Sequence, residues 1–406
     1  MIASICRICG LEQVTNALDL GPQPISNRFT SDPSEPEFRH SLKIGQCQAC
    51  GLVQLAEPFP SHELRPRVEW IRYREREDHL EQAVAAFLPF LDQLSEGHLA
   101  FGITDFDGVL LQHLLKRLPL TCMQLSPPRD LGIPDLTFGM ETFQQALTQE
   151  HARHFVEHQG KCQILVSRYL FEHAENPLAL LAAYRELLAD DGFLLLEVPD
   201  AEAPLQRHDY QMIWEEHVSY FTEHSLRLAL EGNGFSIRSV FKASSKFEQP
   251  LLVLAQKHSE RKALGAVSPA DLTRFEMFRR SFPNRRQAFR DFCRQGRDAG
   301  QTVVLFGAGH FTVAFVNFFG LEEYLSFVID DDPNKIGLFL AGTSLPIVSS
   351  DHLSPKNRVL VLLCVNPDVE SRVVEKLNVF IRDRTKCYSV FTASPRFCLH
   401  EQLTSS

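Results

Sequence analysis

Apolar and polar positions along this chain fall into two alternating series of strands and helices. In the first, His98 to Thr104 reads as a strand, Val109 to Leu118 as a helix and Thr121 to Leu125 as a strand-like run. Gln163 to Ser167 reads as a strand and Pro177 to Leu188 as a helix; an Asp191-Gly192 turn then leads into a fully apolar strand, Phe193 to Val198. Such alternation predicts parallel strands joined by crossover helices, with ligands bound beyond the carboxyl ends of the strands. The segments after Thr104, Leu125, Ser167 and Val198 are therefore the ones to inspect. The second series follows a helical stretch from Ser268 to Gly300 rich in Arg, Phe and Gln. It comprises a strand ending at Phe306, the turn Gly307-Ala308-Gly309, a helix from Phe311 to Phe319, a strand from Leu325 to Ile329 and a buried strand from Val359 to Val365. Before both series, residues 61–96 read as a polar linker and a helix. Val84, Phe87, Leu88, Leu91 and Leu94 pack inward there, and the mixed-sign run Arg72 to Asp78 reads as a solvated face.

Composition narrows the class. The chain has 406 residues, 44% hydrophobic and 23% charged, which suits two or three soluble globular domains. A net charge of −10 and a pI near 5.9 argue against a nucleic-acid partner. No apolar run is long enough to span a membrane, and the start Met1 to Cys6 does not read as a secretory signal. The expected location is cytoplasmic, where disulfides are uncommon, so the 10 cysteines need another account.

Four of them stand in two Cys-x-x-Cys pairs, Cys6/Cys9 and Cys47/Cys50. Two intervening residues let both sulfurs of a turn face one ion, and thiolates suit tetrahedral zinc. A redox pair or free thiols are the competing readings, but no βαβ redox context surrounds either pair. Four sulfurs leave no open coordination position, so the expected zinc is structural. A second dense constellation is Ile213-Trp214-Glu215-Glu216-His217-Val218-Ser219-Tyr220-Phe221. An imidazole beside a carboxylate is a candidate general base; a charged helix start packed by aromatics is the bland alternative. The Gly307-Ala308-Gly309 turn lacks a third glycine and is a weak cofactor signal. It suits a phosphate or a purely structural turn better than a nicotinamide site.

Several segments carry a resemblance when taken in order. They are the four cysteines with Cys50-Gly51-Leu52-Val53-Gln54-Leu55, and Leu18-Asp19-Leu20-Gly21 to Pro24-Ile25-Ser26-Asn27. Further along come Glu197-Val198-Pro199, the 213–221 constellation, and Phe306-Gly307-Ala308-Gly309-His310 through Asp331-Pro333-Asn334-Lys335-Gly337. Together they resemble the sugar C-methyltransferases, which methylate a carbon of a nucleotide-linked ketosugar with S-adenosylmethionine. The resemblance implies an α/β chain in three parts. These are a small zinc-binding module (1–60), a central Rossmann-like methyltransferase fold (61–265) and a C-terminal Rossmann-like α/β domain (266–406). It implies structural Zn2+ on Cys6, Cys9, Cys47 and Cys50. It also implies an enolate mechanism: His217 as general base, Glu216 orienting it, His173 donating to the developing enolate oxygen, and Tyr73 as a further candidate.

The sequence departs from the family's pattern at the cofactor cradle. The first methyltransferase strand ends Gly102-Ile103-Thr104-Asp105-Phe106-Asp107-Gly108, where only Asp107-Gly108 matches, and Thr104 and Phe106 crowd the turn. Gln124 replaces the acid that grips the cofactor ribose, giving up roughly 1–2 kcal/mol of charge-assisted bonding. Trp214 stands where the family usually has Tyr. The expected cofactor residues are thus Thr104, Asp107, Gly108, Gln124 and Ser126, in an altered cradle. Three readings stay open. One is an active C-methyltransferase. Another is a member that binds a nucleotide sugar or a protein partner without methyl transfer. A different reaction through the same enolate is a third. Lys335 and Arg168 are candidate phosphate-binding cations.

Overall fold

The computed structural model describes residues 4–68, 70–71, 77–130, 140–243, 247, 249–354, 358–380 and 386–399. Three sheets organise them. The first is antiparallel, in the order β1 (Val14–Pro24), β2 (Arg39–Cys47), β3 (Val53–Leu55) and β8 (Ser219–Tyr220). Its fourth strand lies far along the chain: Val53 pairs with Tyr220 and Gln54 with Ser219. Leu20, Ile44 and Val53 share one apolar cluster with Phe275, Phe278 and Phe315, so the N-terminal module packs into the core of the C-terminal part.

The central sheet has the order β5 (Thr121–Gln124), β4 (Leu99–Gly102), β6 (Cys162–Arg168), β7 (Leu188–Pro199), β10 (Pro250–Lys257) and β9 (Phe235–Lys242). The first four strands run parallel, as the alternation predicts. β10 runs antiparallel to β7 and β9, a pair the hydrophobic pattern did not single out. β7 is apolar throughout its middle because both faces are covered. Phe193 and Leu195 face one core with Leu110, Leu114 and Val166, while Leu194 and Leu196 face another with Phe101, Phe155 and Tyr184. The Asp191-Gly192 pair is not a turn. It lies inside β7, where pairing with β6 shifts from Cys162↔Leu188 to Ile164↔Phe193. A Cβ on Gly192 would stand 3.1 Å from the Cys162 carbonyl oxygen, so the strand makes a close approach there.

One helix, Pro269–Asp298, leads to the third sheet and buries Phe275, Phe278, Phe282 and Phe289 along its length. That sheet is wholly parallel, in the order β13 (Ile347–Val348), β12 (Val328–Ile329), β11 (Thr302–Phe306), β14 (Val359–Leu363) and β15 (Lys386–Ser389). The order reverses between β11 and β14, and a crevice opens at their carboxyl ends. Gly307 holds that crevice's shape. Its φ is +98°, and a Cβ there would meet Val365 Cγ1 at 2.6 Å and the Cys364 carbonyl oxygen at 3.1 Å. Among the described residues no helix is long and apolar enough to cross a membrane.

Candidate active site and zinc site

Each Cys-x-x-Cys forms a turn closed by a glycine. Gly10 N–H donates to Cys6 O and Gly51 N–H to Cys47 O, both at 2.9 Å, and both glycines have positive φ. The turns bring Cys6 Sγ within 3.5 Å of Cys50 Sγ, and Cys9 Sγ within 3.6 Å of Cys47 Sγ. Sulfurs about 2.3 Å from a tetrahedral zinc sit roughly 3.8 Å apart, so this cluster fits the ion with little adjustment. Four thiolates fill its coordination, which makes the site structural.

The catalytic candidates gather elsewhere. β6 ends in a short turn, Phe171–His173, and Val218 N–H donates to Glu172 O at 2.8 Å. That bond ties the turn to the segment carrying Trp214 and His217. The rings of His173 and His217 lie perpendicular with centroids 4.8 Å apart. Trp214 packs 4.9 Å from His217 and stacks on His310 at 4.6 Å. These groups border a cavity of about 370 Å³. Tyr169 and His173 after β6, with Pro199 and Asp200 after β7, form its central-domain wall. His310, Phe311 and Asn366 from the β11/β14 crevice form the wall opposite. The parallel strands of the central and C-terminal sheets thus turn their carboxyl ends toward one space.

Burial sets the protonation states. It holds His217 well below the usual imidazole range, and repulsion from His173 and His310 adds to this. Burial likewise pulls His173 and His310 down to about 4. All three imidazoles are neutral near pH 7, the form in which one can accept a proton and another can donate an N–H.

Glu215 and Glu216 are buried and engaged by the N-terminal module. Ser26 N–H donates to Glu215 Oε1 at 2.6 Å, Trp214 Nε1 donates to Ser26 Oγ at 3.0 Å, and Asn27 Nδ2 donates to Glu216 Oε1 at 3.4 Å. The sequence marked Ser26 and Asn27 only as part of a resembling segment; their contact with the site is invisible without the fold. Tyr169 was also missed. Its φ of +51° is a left-handed conformation that costs a bulky residue about 1–3 kcal/mol, and it places this residue on the cavity wall. Tyr73 lies outside the described residues.

None of the expected cofactor residues lines the cavity. The crowding expected of Thr104 does not arise from backbone strain. Thr104 is extended, with φ −125°, and caps the turn that follows it. Asp107 is wholly buried and accepts from Ile103, Thr104 and Arg168 N–H groups at 2.7–2.8 Å. Burial pushes its carboxyl up to about 7 against those donors. Gly108 opens the next helix, and a Cβ at that position would meet nothing within 4 Å, which leaves room for a ligand at that helix start. Ser126 N–H is taken by Asp130 at 2.7 Å. Gln124 Nε2 donates to Thr104 O at 2.6 Å, while its Oε1 is buried with no donor among the described residues. A ribose hydroxyl is a donor of the kind that acceptor lacks.

The two candidate phosphate cations are both committed elsewhere. Arg168 is fully buried, bonded to Glu197 and to Phe106 O, so it is a structural cation. Lys335 donates to Ala308 O at 2.9 Å and pairs with Asp330 at 3.2 Å. Asp330 also accepts from Ala308 N–H, and Asp331 engages Ser350 and Lys376. The carboxylates that a nicotinamide ribose would need are therefore occupied, and the Gly307–Gly309 turn reads as structural.

Three family models match the chain in sequence order. Residues 6–64 match a "Putative zinc binding domain", 106–240 a "Methyltransferase domain" and 233–390 a "C-methyltransferase C-terminal domain". Matches in this order over residues 6–390 make the chain similar, along nearly its whole length, to three-part C-methyltransferases. Among curated proteins it is similar to the C-methyltransferase NovU of Streptomyces niveus, at 24% identity over 365 residues, 85% of this chain and 86% of that one. Solved structures similar to it include an S-adenosylmethionine-dependent methyltransferase of Aquifex aeolicus. That match has 14% identity and a TM-score of 0.28, covering 45% of this chain and 94% of the other. Another is the 1,6-didemethyltoxoflavin-N1-methyltransferase of Burkholderia thailandensis, at 15% identity and a TM-score of 0.31, covering 45% and 80%. The chain thus carries a zinc-binding domain, with its four-cysteine cluster, followed by a methyltransferase domain.

Proposed function

We propose that this protein methylates a carbon of a nucleotide-linked ketosugar through an enolate. The observation that carries the reading is the placement of neutral His217 at right angles to His173 on a cavity shared by the central and C-terminal sheets. His217 removes the proton from the carbon beside the ketone. His173, set against the base on the cavity wall, is placed to steady the ketone oxygen as negative charge builds there. Trp214 and Phe311 bound the cavity with aromatic surface and limit water around the enolate. Glu216 acts through position: its bond from Asn27 helps fix the segment that presents His217. Gly108 and Gln124 would hold S-adenosylmethionine, which would supply the methyl group to the carbon and leave as its demethylated product.

Solvent-deuterium uptake at the carbon next to the ketone tests the base. Uptake should occur with the native chain and vanish in His217→Ala; unchanged uptake in that variant refutes the assignment. Calorimetric titration with S-adenosylmethionine and its demethylated product tests the donor. One specific observation favours a second reading, binding of a nucleotide sugar without methyl transfer: the Gln124–Thr104 bond closes the cradle on itself. Micromolar binding of the donor would support the enzyme. No binding by the folded, zinc-loaded chain would support the second reading.

A further inference from the structure

The cavity wall holds a donor set that proton abstraction does not need. Glu172, His173 and His217 each direct one ligand atom into a group whose members all lie within 4.8 Å of one another. Two come from the turn after β6 and one from the segment after β7, and the Val218–Glu172 main-chain bond fixes their separation. His173 is nine-tenths buried and lines the cavity, and its Nδ1 has no hydrogen-bond partner among the described residues. The Glu216 main chain hydrogen-bonds the same ring. A backbone partner on one ring nitrogen with the other left open is how ligating histidines are usually held.

Two imidazoles and one carboxylate are a borderline donor set that suits zinc and its neighbours better than magnesium or calcium. Three protein ligands beside a cavity also leave a coordination position for water or a substrate oxygen. Donors about 2.1 Å from a tetrahedral ion stand roughly 3.4 Å apart, so binding would draw this group inward by about 1 Å. Side-chain torsions on the cavity wall can supply that movement.

We propose that Glu172, His173 and His217 form a second metal site, for one divalent transition-metal ion of the zinc class. An ion there takes the imidazole lone pair that His217 needs to accept the substrate proton, so the occupied site is switched off. This consequence rests on the reading of His217 as base; the binding itself does not.

The full chain with its four-cysteine site filled is titrated with Zn2+ and assayed for bound metal, then with Co2+ for the absorption of a nitrogen- and oxygen-ligated ion. The native chain should hold two ions and His173→Ala one. Glu172→Gln should bind the second at least tenfold more weakly, with circular dichroism unchanged in both variants. A native chain that holds a single ion, or a folded His173→Ala chain that keeps both, overturns the site. Deuterium uptake should fall at least tenfold as the second ion binds. Undiminished uptake overturns the switch while leaving the site. Absence of uptake at every loading refutes the base reading and leaves the two-ion stoichiometry to stand on its own.

Discussion

Ser26 donates its main-chain N–H to Glu215 at 2.6 Å across 189 positions of sequence, and its hydroxyl accepts from the indole of the neighbouring Trp214. The zinc-binding module therefore braces the segment that carries His217. Ser26→Ala removes the hydroxyl acceptor and keeps the main-chain donor. It should cost about 1 kcal/mol in urea unfolding, and deuterium uptake should fall by more than the loss of folded protein explains. Uptake that tracks the folded fraction alone would deny the brace a role in catalysis.

The zinc site should transmit to the same segment. Cys47→Ser leaves three thiolates for an ion that four hold in the native chain. Zinc content by mass spectrometry or atomic absorption should fall well below that of the native chain, thermal unfolding should shift down, and β1–β3 should lose amide protection. Full zinc content in the variant would refute the four-thiolate site.

The pH dependence follows from buried neutral imidazoles. His217 is held below the ordinary value of about 6.5, so the base stays unprotonated at pH values where an exposed histidine would be charged. The acid limb of the uptake rate should lie below pH 6.5. Stability has the same sign. The unfolded chain binds protons at His173, His217 and His310 that the folded chain refuses. Their contribution is therefore intact above pH 6.5 and is lost as pH falls toward about 4, where His173 and His310 titrate. Urea midpoints between pH 8 and pH 4.5 check this; a flat profile would contradict it.

Glu197 illustrates how the cofactor turn is held. Burial alone would raise its pKa, but bonds from His79 and Arg168 outweigh burial and keep it low. Arg168 also reaches Phe106 O at 2.5 Å, and its main-chain N–H donates to Asp107. Arg168→Met removes one partner of a buried pair, which should cost about 3–5 kcal/mol. Where the variant remains folded, donor binding by calorimetry should weaken, because the 103–108 turn loses a support.

Gln124→Glu would restore an acid to the strand end. Here it also removes the donor that Thr104 O now receives and sets a carboxylate against that carbonyl. The substitution should destabilise the chain by about 1–3 kcal/mol. A gain in both stability and donor affinity would show that the turn can rearrange around an acid.

Local signals made much of the architecture legible. The strand and helix periods of the central and C-terminal sheets register burial on one or two faces, which a linear pattern records directly. The Cys-x-x-Cys spacing encodes its own turn geometry, and 213–221 concentrates its chemistry within nine residues. The antiparallel β10, the strand passing through Asp191-Gly192 and the exchange of β8 into the N-terminal sheet depended on pairing partners far away in sequence. Single positions shifted for the same reason. Arg168 looks like a free cation in the sequence, but in the fold it is sealed against Glu197. Gln124 looks like a lost contact, yet it bonds Thr104. Tyr169 gains its place from a cavity that exists only where two sheets meet, and Ser26 and Asn27 gain theirs from the Trp214–Glu216 segment that they brace. Residue types and short spacings determined which chemistry the chain carries. Long-range packing decided which of those groups face one another, because the distances between them are set by the whole core and by no local stretch of sequence.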